Sequence, residues 1–131
     1  MNKKIIFSTG GTGGHIFPAI HLMSHFFEKD YKMILVTDHR GDSFIKNDLM
    51  FKSYILPADT PTNKKFLNKI LSFLIVFYSI LKSIIILKKE KPDLVFGFGG
   101  YVSFPISFAS KIFNIPLVIY ESNMVLGRAN K

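Results

Sequence analysis

The sequence predicts an α/β fold in which a parallel β-sheet is covered by helices, and three observations carry that expectation. Short β-rich runs alternate with longer helical patterns along 131 residues, which is the signature of repeated βαβ units. Two of these runs end directly in glycine clusters, Gly10-Gly11-Thr12-Gly13-Gly14 and Gly97-Phe98-Gly99-Gly100, at strand ends where open α/β sheets bind ligands. The length suits one layered domain with its own core and is too short for two.

The clearest strands are residues 4–8, 33–37, 94–96 and 117–120, with a weaker one at 53–56. Residues 1–7 begin as a signal peptide does, but the apolar run stops at Ser8 and glycines follow. They therefore read as a strand rather than a leader. The first helix is expected from Pro18, a favoured first helical position, to Lys29. Its period turns Ala19, Ile20, Leu22, Met23, Phe26 and Phe27 inward and His21, Ser24, His25 and Glu28 to water. A later helix spans 104–113, with Ser103 before it, Pro105 in its first turn, and Asn114 and Pro116 ending it.

Residues 64–89 carry the strongest apolar signal, yet their uncharged stretch, 70–81, is 12 residues long, short of the roughly 20 that a bilayer span needs. Lys65, Asn68, Lys69, Ser72, Ser79, Lys82 and Ser83 recur at helical steps and predict a narrow wet stripe on an otherwise apolar helix. Part of that helix is expected to pack on the sheet. The rest either meets lipid, with Lys65, Phe66, Lys69, Ile70, Phe73 and Phe77 as candidate contacts, or is buried as a central helix, with a transmembrane span as the third choice.

Seventeen Lys and Arg against nine Asp and Glu give a formal charge of +8, which favours anionic partners. Lys64, Lys65, Lys69, Lys82, Lys88, Lys89 and Lys91 all flank or punctuate the apolar segment, an arrangement that suits an anionic membrane surface. No recognition helix or aromatic-basic strand motif supports nucleic-acid binding. The chain has no cysteine, which removes disulfides and thiolate metal sites and fits a reducing compartment.

The first glycine loop joins a strand to a helix, so its backbone can approach a ligand closely and free N–H groups at the helix start favour an anion. The dinucleotide fingerprint fails because Ile16 stands where the third glycine belongs, and no Gly-Lys-Ser/Thr ending marks a P-loop. Asp38 follows the second strand and reads as a cap on the next turn rather than a ribose ligand. The loop ending in Gly99-Gly100-Tyr101 repeats the design, and together the two can share a diphosphate; each alone is equally a tight turn. His15 lies inside the first loop, where its imidazole can take a proton. Glu121 and Asn123 follow the last strand, as sugar contacts, a general base or turn caps. His21 and His25 lack a third partner and read as exposed helix residues.

These residues together resemble the N-terminal domain of the MurG family of N-acetylglucosaminyltransferases. The resemblance rests on Gly10-Gly11-Thr12-Gly13-Gly14-His15 with Pro18 behind it, Lys91-Pro92-Asp93 before the Gly97-to-Ser103 loop, and Ile115-Pro116 before Glu121 and Asn123. It implies the N-terminal half of a GT-B glycosyltransferase, a Rossmann-like parallel sheet with flanking helices, occupying residues 1–131. It further implies an inverting, metal-independent transfer without a cofactor. The sugar of UDP-GlcNAc goes to lipid I, an undecaprenyl-pyrophosphate-linked MurNAc-pentapeptide, at the cytoplasmic face of the bacterial inner membrane. Gly11, Thr12, Gly13, Gly14, His15, Gly99, Gly100, Tyr101 and Asn123 would line the acceptor site, with His15 or Glu121 as base.

Two departures stand out. Tyr120 and Ser122 replace the histidine and glutamine of the family's His-Glu-Gln-Asn, and the chain stops at Lys131, ahead of the C-terminal domain that would hold most of the donor site. The expectation is a domain inactive alone, as a fragment or as one subunit of a split enzyme. A non-enzymatic phosphate-ligand or membrane-binding module is the alternative.

Overall fold

A computed structural model describes residues 3–45, 51–58 and 66–121, with the Phe66 side chain outside that description. Lys64, Lys65, Ser122, Asn123 and Arg128 also lie outside it. The element order is β1 (Lys4–Ser8), α1 (Gly13–Phe27), β2 (Lys32–Thr37), α2 (His39–Ser43), β3 (Lys52–Ile55), α3 (Phe66–Glu90), β4 (Leu94–Gly97), α4 (Ser103–Ile112) and β5 (Leu117–Ile119). The five strands form one sheet in the order β3-β2-β1-β4-β5, and every pairing is parallel. This is the Rossmann-like architecture the sequence predicts.

Side-chain alternation along the central strands divides the core in two. Ile5, Phe7, Met33 and Leu35 point to one face, where they pack with Ala19 and Met23 of α1 and with Phe98. Ile6, Ile34, Val36 and Val95 point to the other, against Ile86 and Leu87 of α3 and Ile106 and Ala109 of α4. Burial on both faces is why these strands read as nearly continuous apolar runs. Phe7, fully buried, stacks on Phe96 at 5.3 Å between ring centres; truncating such a side chain costs about 3–5 kcal/mol.

Helix α1 departs from expectation at both ends. Helix α1 begins at Gly13, five residues ahead of Pro18, because Gly13 and Gly14 adopt helical backbone instead of ending the loop. Pro18 then sits inside the helix. Phe27, expected inward, is exposed, because the side of this turn that faces the sheet is taken by Phe26, whose ring lies against Phe7 and Phe96.

The serine positions of the predicted wet stripe on α3 are inverted, while its other described positions, Asn68, Lys69 and the half-buried Lys82, reach the surface. Ser72, Ser79 and Ser83 are fully buried, while Ile70, Leu71, Phe73, Leu74, Phe77 and Ile85 are exposed, Phe73 by 64%. Small side chains let the helix approach its neighbours closely. Their hydroxyls need no water, because Ser72 and Ser83 donate to the carbonyls of Asn68 and Ser79, and Ser79 donates to that of Pro57. The greasy face is therefore the outer one. By length and composition α3 passes as a membrane span from Leu67 to Glu90, mean hydropathy 2.5; in this fold its serine face packs beside α4 and the sheet.

The far end of α3 is pinned by a polar network. Glu90 accepts from Lys52 at 2.6 Å, from the Tyr54 hydroxyl at 2.5 Å and from Lys4 at 3.2 Å. Burial alone would raise its pKa, but the hydrogen bonds from Lys52, Tyr54 and Lys4 outweigh it and hold the carboxyl at about 2. The same contact with Glu90 raises Lys52 above its ordinary value.

Candidate functional site

The chain runs outward from β1 through β2 to β3, and α3 then carries it back across to β4 on the other side of β1. The strand order thus reverses between β1 and β4. At such a switch point the loops leaving adjacent strands part in opposite directions and open a crevice at the carboxyl edge. The two glycine loops follow those two strands, so the topology brings the sequence's two strongest motifs together.

Their contact is backbone on backbone. Gly10 donates to the Gly99 carbonyl at 3.0 Å, and a Cβ on Gly100 would lie 2.8 Å from the Gly10 Cα. Gly99 and Gly100 hold φ of 89° and 78°, the left-handed region where a side chain is strained. Ser103, buried at the start of α4, sits with Oγ 2.8 Å from the Ser8 carbonyl and 2.7 Å from that of Gly99. It ties β1 to the second loop. Sequence reasoning treated Ser103 only as a helix entry, and its pairing with residues so distant in the chain had no local signal.

Asp38 closes the first loop from the β2 side. Its carboxylate accepts from Gly41 at 2.8 Å, capping α2 as expected, from Arg40 at 3.1 Å and from the Gly11 N–H at 3.3 Å. A Cβ on Gly11 would meet the Asp38 carboxylate at 2.3 Å. Gly11, expected among the ligand contacts, thus turns its amide to Asp38.

Gly10 is bonded to Gly99, Gly11 to Asp38, Thr12 to the Gly10 carbonyl, and His15 and Ile16 both to the Thr12 carbonyl. Among the described residues no acceptor takes the N–H of Gly13 or Gly14. Both stand in the first turn of α1, where the helix dipole favours negative charge. A Cβ on Gly14 would have nothing within 4 Å, whereas one on Gly13 would meet the Phe17 ring at 3.1 Å, so the open space lies beside Gly14.

Thr12 is the N-cap residue but makes no side-chain cap bond, forgoing roughly 1 kcal/mol of helix stabilisation. Its Oγ1 instead lies 2.6 Å from Nδ1 of His15, leaving the ring's Nε2 as its second polar atom. Glu121, half-buried, follows β5 on the same sheet edge, and Tyr120 packs its ring 5.1 Å from Phe98. Tyr101, half-buried, belongs to the second loop. Asn123 lies outside the described residues. His21 and His25 are exposed, as expected, and no group of three His, Asp or Glu converges among the described residues.

The parallel five-stranded sheet with its flanking helices matches the Rossmann-like half of GT-B glycosyltransferases. The glycosyltransferase family 28 N-terminal domain matches residues 5–131, and the chain belongs to that family. It is 44% identical over 127 residues to a UDP-N-acetylglucosamine--N-acetylmuramyl-(pentapeptide) pyrophosphoryl-undecaprenol N-acetylglucosamine transferase of Wolbachia sp. subsp. Brugia malayi, covering 97% of this chain and 35% of that protein. The transferase of the same name from Pelagibacter ubique is 40% identical over 133 residues, covering 100% and 36%. The crystal structure of Acinetobacter baumannii MurG superposes with a TM-score of 0.85 at 25% identity, over 98% of this chain and 38% of that one. The chain spans about a third of the length of the curated relatives it matches.

Proposed function

We propose that this chain is the acceptor-binding, N-terminal half of an N-acetylglucosaminyltransferase that converts lipid I to lipid II. The observation that carries the reading is the pair of uncommitted amides, Gly13 and Gly14, at a helix start beside a second glycine loop. They suit the diphosphate of an undecaprenyl-linked MurNAc-pentapeptide. Relatives named for this transfer, matched along nearly the whole chain, support the choice of substrate.

In this reading His15 is the base and Glu121 a sugar contact. The acceptor hydroxyl gives its proton to Nε2 as its oxygen bonds to the anomeric carbon of UDP-GlcNAc, and UDP departs with the electrons of the broken bond. That displacement inverts the anomeric centre and, in this reading, proceeds without a metal, His15 taking the proton. A C-terminal domain supplies most of the UDP-GlcNAc site, so the domain of residues 1–131 is inactive alone.

Ile70, Phe73 and Phe77 of α3 are exposed, and so are Phe104, Phe108 and Ile112 of α4, the helix packed beside it. Lys69, Lys82, Lys88, Lys89 and Lys111 accompany them. We assign this surface to the cytoplasmic face of the inner membrane, where apolar side chains enter the interface and lysines meet anionic headgroups.

Anionic vesicles with and without undecaprenyl diphosphate test both assignments. Gly14→Leu projects a side chain into the open space, and a tenfold or greater loss of the diphosphate-dependent binding by the folded variant is expected; unchanged binding would sink the acceptor reading. Phe73→Ser with Phe77→Ser lowers binding to all anionic vesicles about tenfold while leaving the fold intact, because both side chains are already exposed, by 64% and 60%.

A further inference from the structure

A threonine at an N-cap ordinarily spends its oxygen on the helix amides behind it. Thr12 does not, and its hydroxyl faces Nδ1 of His15 at 2.6 Å instead. Two arrangements of protons satisfy that distance. Either the hydroxyl donates to Nδ1 and the ring carries its proton on Nε2, or Nδ1–H donates to Oγ1 and Nε2 presents a lone pair. Only the second leaves the ring able to accept a proton from a substrate hydroxyl.

We propose that Thr12 is a positioning residue that couples the occupancy of the loop to the tautomer of His15. The inference rests on the anion reading above. The uncommitted amides of Gly13 and Gly14 follow Thr12 directly in the chain, so a phosphate oxygen held there lies beside the Thr12 hydroxyl. A hydrogen bond donated to an anion is about twice as strong as one donated to a neutral acceptor, so the hydroxyl keeps its proton and turns its O–H toward the bound phosphate. Oγ1 then offers the ring lone pairs only, and the one donor that reaches it is Nδ1–H. The ring moves its proton from Nε2 to Nδ1 through solvent, with no net gain or loss, and Nε2 becomes the acceptor. Substrate binding in this way prepares the base, and an empty loop holds it in the unreactive form.

The probe is inorganic pyrophosphate, added to the 15N-labelled chain at a pH where the imidazole signals no longer move with pH, with His15→Gln used to assign the ring. On saturation, amide shifts at Gly13 and Gly14 are expected together with a move of His15 Nε2 from the pyrrole-like to the pyridine-like nitrogen range. Thr12→Val should keep the amide shifts and lose the ring response, and Thr12→Ser should restore it. Amide shifts in the parent chain with no change of the His15 nitrogens would overturn the coupling and leave the anion site standing. A ring response that persists in Thr12→Val would equally overturn it. Silence of the Gly13 and Gly14 amides at every concentration would remove both readings.

Discussion

The two ends of the sheet handle polar groups in opposite ways. At the amino edge Glu90 gathers Lys4, Lys52 and Tyr54, and the main-chain N–H of Lys4 donates to Asp93 at 2.8 Å, so that charge and hydrogen-bonding capacity are spent within the fold. At the carboxyl edge backbone carbonyls take the amides of Gly10, Thr12, His15 and Ile16, Asp38 takes that of Gly11 and Ser103 bonds the Gly99 carbonyl, but Gly13 and Gly14 stay uncommitted. The first arrangement fastens the end of a 25-residue helix. The second holds a loop rigid while reserving two donors for something outside the protein. A polar cluster alone is thus no sign of a site; what separates the two edges is whether their donors already have acceptors.

The largest expected effect comes from substituting where the carboxyl edge is itself structural. Gly100→Ala places a Cβ against the Gly10 backbone at a φ of 78°, and neither atom can rotate away. A loss of about 3 kcal/mol or more is expected in denaturant unfolding. A loss under about 1 kcal/mol would mean that the two loops are not in backbone contact.

Next in size is the amino edge. Glu90→Gln removes the charge shared by Lys4 and Lys52 and should cost about 2 kcal/mol, discounted from a fully buried pair because the Lys52 side chain is 49% exposed. Because the folded chain holds Glu90 at about 2 against an ordinary 4.5, the unfolded state takes the proton more readily. The stabilisation is full above about pH 4.5 and lost as pH falls toward about 2. Unfolding free energies across that window should therefore decline less steeply in Glu90→Gln than in the parent chain. Equal slopes would place the acid sensitivity elsewhere.

The smallest effect sharpens the contrast by changing sign. Gly14→Ala enters open space in a helical position, so thermal unfolding should show a gain of about 0.5–1 kcal/mol. A destabilised Gly14→Ala would show that the glycine is held for the fold and not for the space in front of it.

Much of the fold was legible in the sequence because period and strand-ending glycines are local signals. All five strands fall where alternation and β-branching put them, each bound moving by no more than one residue. The start of α1 was not legible: glycine is a poor helix former, and no local rule places Gly13 and Gly14 inside the helix that Pro18 was expected to open. The α3 serines misled for a related reason. Polarity implies exposure only where a hydroxyl needs water, and these three donate to carbonyls instead, Ser72 and Ser83 within α3 and Ser79 to Pro57. Of the site, the two loops and His15 could be picked out from residue types, and so could the capping role of Asp38. Its hold on Gly11, the Ser103 bridge and the Glu90 network join residues 27 to 95 positions apart, and only the strand order brings them together.

The Gly10–Gly100 contact has a consequence for how this sequence can change. Most tight contacts admit compensation, a larger residue on one side being offset by a smaller one on the other. Here both partners are already the smallest residue, and the atoms that meet are main chain. No second substitution can make room for the first, so the two positions are frozen as a pair, and variation in this edge of the molecule is confined to the residues around them.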